Sequence, residues 1–347
     1  MINYFILENN KCKMGDDLMI KIPEKINFAN LPTRIEKLER LSQRLNGPNI
    51  YIKRDDQTGL EVSGNKIRKL EFSVRQALNL GCNVLITCGG IQSNHCRATA
   101  AVASRLGLKS VLVLRGDAET KLDGNLFLDK LLGAEIHFIT PEEYKNNRDL
   151  FMEQIKGKLE EKGFKPYIIP EGASNGIGSF GYYNALVEII SEEKEMCLHF
   201  DKIVMAVGSG GTHSGLLLAS KILKYTGEIC GINICDDAKH FKNEICKIID
   251  ESMLYLDVNL QISKDEVHII DGYVGRGYAL SRPEELNFIH DFAKLEGIIL
   301  DPVYTGKAMY GLVQEIKKGA FKSCENILFI HTGGAFGLFP QKDLFKL

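Results

Sequence analysis

Along most of this chain a short apolar run gives way to a stretch with helical spacing, and the pair then repeats, which predicts alternating strands and helices. Asn49–Asp56 predicts a strand around Ile50, Tyr51 and Ile52 that ends in polar residues. From Lys66 to Leu80 the apolar positions Ile67, Leu70, Phe72, Val74, Ala77 and Leu78 predict a helix, which Gly81 ends. Asn83–Thr87 then predicts a buried strand, Cys88-Gly89-Gly90 a turn, and Ser93–Leu106 an alanine-rich helix. Strands at Ser110–Leu114, Ala134–Ile139 and Tyr167–Pro170 follow, with helices at Asp123–Leu132 and Pro141–Lys162 between them. Thr140, Pro141 and Glu143 supply a cap, a first-turn proline and a capping-box carboxylate for the second of these helices.

The loop Glu171–Gly176 offers a boundary between domains. Beyond it the pattern predicts strands at Lys202–Val207, Cys230–Cys235 and Asn326–His331, and helices at Ser214–Tyr225, Asp236–Leu254, Pro283–Leu295 and Lys307–Lys317. Strand and helix in alternation imply parallel sheets with right-handed crossovers and helices on both faces. No internal repeat or low-complexity segment interrupts the alternation.

Composition narrows the class without changing that outline. The chain has 347 residues, enough for one large or two ordinary domains, with 44% hydrophobic residues and a net charge of -2. There is no basic excess for nucleic acid. No stretch reaches the roughly 18 to 20 apolar residues that a membrane helix needs, and Met1–Asn10 lacks a basic segment followed by a hydrophobic run, so no secretory signal is expected. Nine cysteines, scattered singly, read as reduced thiols in a cytoplasmic protein.

Two polar runs carry the chemistry. Ser63-Gly64-Asn65-Lys66-Ile67-Arg68-Lys69 offers a lysine on a tight turn at a helix start, and Gly208-Ser209-Gly210-Gly211-Thr212-His213 joins a strand to a helix. A lysine amine can form a Schiff base with an aldehyde, and N–H groups at a helix start can hold a phosphate, so the pair points to pyridoxal 5'-phosphate. The glycine loop fits a dinucleotide fingerprint poorly, because the third glycine would fall at His213; a plain tight turn is the other alternative. In Gln92-Ser93-Asn94-His95, Ser93 and Asn94 are either helix caps or, with the free N–H groups beside them, a seat for a substrate carboxylate. His95 is either packed or functional. Tyr278 and Tyr304 are either packing residues or, beside a cofactor ring, groups that stack or exchange a proton.

These runs, with Asp301-Pro302-Val303-Tyr304-Thr305-Gly306-Lys307 and His331-Thr332-Gly333-Gly334, occur in chain order. Together they resemble the D-cysteine desulfhydrase and 1-aminocyclopropane-1-carboxylate deaminase family from about residue 30 onward. The resemblance implies the tryptophan-synthase-β-like α/β fold, pyridoxal phosphate fold type II, with two doubly wound parallel-sheet domains and the cofactor in the cleft between them. It implies a large domain of 1–67 and 179–347, a small domain of 68–178, and a homodimer. By the same resemblance Lys66 would bind the cofactor aldehyde, Lys69 would reach its phosphate, and Gly208, Ser209, Gly210, Gly211 and Thr212 would cradle that phosphate. Asn94 would touch the ring hydroxyl or the phosphate side, with Gln92 and Ser93 near the substrate carboxylate and His95 also facing substrate. Tyr304 would stack on the ring, Tyr278 would approach the substrate, and Thr332 would meet the ring nitrogen. Thr305, where the deaminases resemble Tyr-Glu-Gly, and His95, where they resemble Ser-Asn-Gln, favour the desulfhydrase branch. The expected reaction is β-elimination of D-cysteine to pyruvate, hydrogen sulfide and ammonia. The alternatives are deamination of 1-aminocyclopropane-1-carboxylate, loss of sulfite from cysteate, and an amino-acid sensor without turnover.

Overall fold

The computed structural model describes residues 7–8, 11–14 and 18–347, with side chains from residue 20 onward. Strands β1 (Leu7–Glu8), β2 (Lys11–Met14) and β3 (Leu18–Lys21) form a small antiparallel sheet. β4 (Ile35–Lys37), helix α1 (Glu39–Leu45) and β5 (Asn49–Lys53) then open a six-stranded sheet. Helix α2 (Lys66–Asn79) carries the chain to a second sheet of four parallel strands, β6 (Val84–Gly90), β7 (Lys109–Arg115), β8 (Glu135–Ile139) and β9 (Pro166–Ile168), in the order β8-β7-β6-β9. Their connections are α3 (Asn94–Arg105), α4 (Gly124–Leu131) and α5 (Pro141–Glu161).

Helix α6 (Gly176–Met196) leads back to the first sheet, which gains β10 (Lys202–Val207), β11 (Glu228–Asn233), β12 (His268–Ile270) and β13 (Asn326–Ile330). Helices α7 (Gly211–Ile222), α8 (Ala238–Met253), α9 (Pro283–Glu296) and α10 (Thr305–Lys318) connect them, and α11 (Ala335–Leu338) lies near the C-terminus. The order is β12-β11-β10-β13-β5-β4, with β4 antiparallel to β5 and the other pairs parallel.

Strands β10 and β13 are continuous apolar runs because helices cover both faces. On one face Ile203 and Met205 meet Phe180 and Leu186 of α6 and Leu216 and Leu218 of α7. On the other, Val204 and Phe329 meet Met309 and Leu312 of α10. Each such fully buried side chain contributes about 1.5–3 kcal/mol, so both faces of the large sheet are fixed firmly before any polar group is considered.

The structure differs from the sequence pattern in several places, among them helix α1 and strands β1–β3, which the pattern did not predict. Cys88-Gly89-Gly90 is the end of strand β6 and not a turn, since Gly89 and Gly90 continue the ladder against Leu114 and Arg115. The helix after the glycine loop starts at Gly211 and not at Ser214. Helix α6 escaped the periodicity altogether, because it is buried on nearly all sides and opens with Gly176, Gly178 and Gly181, which resemble loop residues. Edge strands β4 and β12 are too short for a period-2 pattern. The capping box on Thr140 and Glu143 is present as expected.

Candidate active site

Each of the two larger sheets has one place where the strand order reverses, and ligands of such sheets bind outside the strand C-terminal ends there. In the large sheet it lies between β10 and β13, which end in the glycine loop and in Thr332. In the small sheet it lies between β6 and β9, which end in the Ser93–His95 segment and in Glu171-Gly172. The two crevices face one another around a single cavity.

Lys66 is the first residue of α2 and stands on the cavity wall. The turn before it is tight because Gly64 adopts a φ of 103°, and a Cβ there would come within 2.6 Å of the Thr332 carbonyl oxygen. Asn65 fastens the turn at both ends. Its backbone N–H donates to Thr332 O at 3.1 Å, and its Nδ2 donates to Thr212 Oγ1 at 3.0 Å. Lys66 has no ion-pair partner among the described residues, and its enclosure pushes the amine down to about 8 despite the attraction of Glu171. A lysine with that value supplies a substantial neutral, nucleophilic fraction near neutral pH.

The glycine loop faces Lys66 across the cavity. Gly210 starts α7 with a φ of 83° and no side-chain cap, so the first N–H groups of that helix are left for a ligand. Helices α3, α5 and α8 are capped by Ser93, Thr140 and Asp237, while α1 and α2, like α7, have no side-chain cap. Gly172 closes the cavity behind Lys66, where a Cβ would lie 3.5 Å from Nζ and 2.8 Å from Ser209 Oγ. An uncapped helix start and a lysine without an ion pair, its amine partly neutral, fit a phosphorylated aldehyde.

Most of the residues expected from the sequence meet here: Lys66, Ser93, Asn94, His95, Gly208, Ser209, Gly210, Thr212, Tyr278, Tyr304 and Thr332 all line the cavity. Ser93 is both a cap and a wall, since its Oγ accepts from Cys96 N at 3.2 Å. Asn94 Oδ1 is oriented by Asn125 Nδ2 at 3.0 Å. His95 has a defined tautomer: Thr87 Oγ1 donates to Ile169 O at 2.7 Å and so must accept from His95 Nε2 at 2.8 Å. Nδ1 is left bare and unpartnered, and burial, helped by the Lys66 and Lys69 charges, holds the ring well below its ordinary pKa. Tyr278 and Tyr304 bring their hydroxyls to 2.5 Å, with ring centres 6.0 Å apart at 74°. Burial raises Tyr278 to about 12, and raises Tyr304 as well.

Three expected residues stand elsewhere. Lys69 is fully buried behind the wall, where its Nζ donates to Ser174 Oγ at 3.2 Å; Ser174 in turn meets Ser209 Oγ at 2.8 Å, so Lys69 reaches the glycine loop only through Ser174. Gly211 packs against Ser174. Gln92 has its amide committed to Asp123 O and Asn125 N and faces a neighbouring cavity. Thr305 is also turned away: its Oγ1 donates to Asp301 Oδ1 at 2.7 Å, and Asp301 caps the start of α10. Periodicity gave no reason to single out Glu171, Gly172 or His213 as cavity residues. The position of Glu171 and Gly172 just past a strand end was the available clue.

A strand-switch cleft of this kind, with its lysine set opposite an uncapped helix, defines a pyridoxal-phosphate-dependent enzyme of fold type II. The comparisons agree. Residues 26–333 match the family model described as "Pyridoxal-phosphate dependent enzyme". A protein of Thermotoga maritima provisionally named 1-aminocyclopropane-1-carboxylate deaminase is 45% identical over 91% of this chain and 98% of its own length. The Arabidopsis thaliana protein named bifunctional D-cysteine desulfhydrase/1-aminocyclopropane-1-carboxylate deaminase, mitochondrial, is 43% identical over 91% of this chain and 80% of its own. The crystal structure of an ACC deaminase homologue superposes with a TM-score of 0.85 at 38% identity, covering 93% of this chain and 95% of that one. Threonine deaminase, at 18% identity and a TM-score of 0.62, shares the fold. The chain therefore belongs to the 1-aminocyclopropane-1-carboxylate deaminase/D-cysteine desulfhydrase family of pyridoxal-phosphate enzymes.

Proposed function

We propose that the protein catalyses α,β-elimination of a D-amino acid, D-cysteine foremost, with water consumed and pyruvate, hydrogen sulfide and ammonia released. The observation that carries this is the start of α10: Tyr304 faces the cavity beside Tyr278, whereas Thr305 turns into Asp301, so that position sets no carboxylate against the site. The ring-nitrogen partner would then be Thr332, a hydroxyl, which suits elimination better than opening of a cyclopropane.

Lys66 would hold the cofactor aldehyde, and Gly208, Ser209, Gly210 and Thr212 its phosphate, with Lys69 supporting Ser209 through Ser174. When bound, pyridoxal phosphate supplies an electron sink for the pair left at Cα. Ser93 and Asn94 would seat the substrate carboxylate at the start of α3. Lys66, released as a neutral amine, would take the Cα proton, and the Tyr278–Tyr304 pair would hold a proton at the leaving sulfur. Residues 68–178 would close over the substrate as a unit and exclude water.

The names of the relatives favour a second activity, deamination of 1-aminocyclopropane-1-carboxylate to 2-oxobutanoate and ammonia. The test is a side-by-side assay of D-cysteine, L-cysteine, cysteate and 1-aminocyclopropane-1-carboxylate with pyridoxal-phosphate-loaded protein and Lys66→Ala as the control. Pyruvate with sulfide from D-cysteine supports the proposal. 2-Oxobutanoate from the cyclopropane alone replaces it with the deaminase, and binding without any turnover replaces it with a sensor.

A further inference from the structure

Beside the main cavity lies a second one that the reaction above does not use. The two share Gly90, Asn94, Tyr278 and Tyr304 as walls, so the tyrosine hydroxyl pair stands between them. Arg115, at the C-terminal end of β7, lines the second cavity. Its guanidinium carbon lies 5.3 Å from the Tyr144 ring centre and 5.1 Å from that of Tyr278. A Cβ on Gly90 would come within 3.6 Å of Nη2.

Held between two rings, this guanidinium makes no hydrogen bond or ion pair among the described residues. The exposed Arg34, Arg44 and Arg276 also lack such partners, but the at least partly buried Arg54, Arg68, Arg75 and Arg282 each meet a carboxylate within 2.8 Å. Gln341 lines the same cavity, and one buried end of its amide also lacks a partner. The nearby carboxylates are already engaged. Asp301, on the cavity wall, accepts two hydrogen bonds at each oxygen from the first turn of α10, and Glu171 lies 3.7 Å from Arg148.

A planar fork of free donors, stacked and half-buried beside the reacting position, is built for an oxyanion. We propose that the second cavity is the subsite for the far end of the substrate's β-substituent, and that Arg115 selects substituents that carry a carboxylate or sulfonate. The proposal rests on the elimination reading above and widens it from D-cysteine, whose thiol has no oxyanion end, to substrates whose leaving group carries one. In that reaction the Cα proton passes to Lys66, the Cα–H pair becomes the Cα–Cβ double bond, and the Cβ–X pair departs with X. Arg115 would hold the anionic end of X until it leaves.

The probe is 3-sulfopropanoate, which carries both anionic ends but no amine and cannot react, with propanoate as its one-ended control. Both are titrated calorimetrically into the pyridoxal-phosphate-loaded wild type, Arg115→Met and Arg115→Lys. The Met variant is expected to lose about tenfold or more in affinity for 3-sulfopropanoate and less than about twofold for propanoate, with the Lys variant between. Unchanged 3-sulfopropanoate binding in the Met variant overturns the proposal. So does an equal loss for both probes, which would place Arg115 on the α-carboxylate. Should the Met variant fail to fold, the Lys variant decides by the same two comparisons. Pyruvate release from β-chloro-D-alanine, whose leaving group has no oxyanion end, is measured separately on the wild type. Its absence sinks the elimination reading while the calorimetry still decides the subsite.

Discussion

Lys66 and Arg68 stand two residues apart at the start of α2, and their surroundings differ in kind. Arg68 is buried in a satisfied network: Nε and Nη2 donate to Asp55 at 2.8 Å, Nη1 to Glu188 at 2.8 Å, and Nη2 also to Thr33 Oγ1 at 3.1 Å. Lys53 and Tyr182 complete that network at Glu188 and Asp55. Burial alone would lower the Arg68 pKa, but the two carboxylates outweigh it and hold the group far above its ordinary value. Lys66 has the enclosure without the carboxylate contacts, so its value falls. One cation is locked and anchors the helix; the other, carried on the same rigid turn, is left reactive.

The sharpest break in this contrast is Lys66→Ala. Elimination should drop by more than about 10⁴-fold, with borohydride no longer fixing the cofactor to the chain. An undiminished rate would remove Lys66 from the chemistry. On the other side, Asp55→Ala leaves Arg68 Nε and the Tyr182 hydroxyl without their acceptor in the interior and should cost about 3–5 kcal/mol, seen as a lower urea midpoint at unchanged slope. A loss below about 1 kcal/mol would mean that the network is not what fixes α2.

Tyr278→Phe removes one hydroxyl of the pair between the cavities and should lower kcat by about 100-fold. If both Tyr278→Phe and Tyr304→Phe stay within about twofold of the wild type, neither hydroxyl moves a proton in the slow step. Asn65→Ala breaks one neutral hydrogen bond between the lysine turn and Thr212, worth about 1 kcal/mol, so cofactor affinity should fall roughly fivefold by fluorescence titration.

The last test is a pH dependence with a defined sign. The folded Lys66 value is about 8 and the unfolded value 10.5, so between these the folded chain binds fewer protons and stability rises with pH. Lys66→Met should therefore stabilise the cofactor-free protein most below pH 8, and its advantage should shrink toward pH 10.5. An advantage that stays constant from pH 7 to pH 10 would show that the amine is not titrating in that window.

What could be read without coordinates was whatever is local in sequence. The lysine turn and the glycine loop announce themselves because the residue types that permit a tight turn or a bare helix start are contiguous. Ser93, Asn94 and His95 were visible for the same reason, at the start of one helix. What could not be read was direction. Thr305 and Tyr304 are neighbours, yet one faces Asp301 and the other the cavity. Lys69, one turn along α2 from Lys66, lies behind the wall rather than on it.

The sequence by itself determined the alternation of strands and helices, the two polar runs that mark a pyridoxal-phosphate enzyme, and the family. Each follows from periods of two or three to four residues, or from motifs a few residues long. Only the tertiary structure decided that Glu171 and Gly172 close the cavity, that Asp301 is spent as a cap, and that Arg115 is left unpaired between two rings. Apart from the local Asp301 cap, those are relations between residues tens to hundreds of positions apart. They arise where two sheets present their strand ends to one another, and no local pattern records which donors and acceptors will already be taken there.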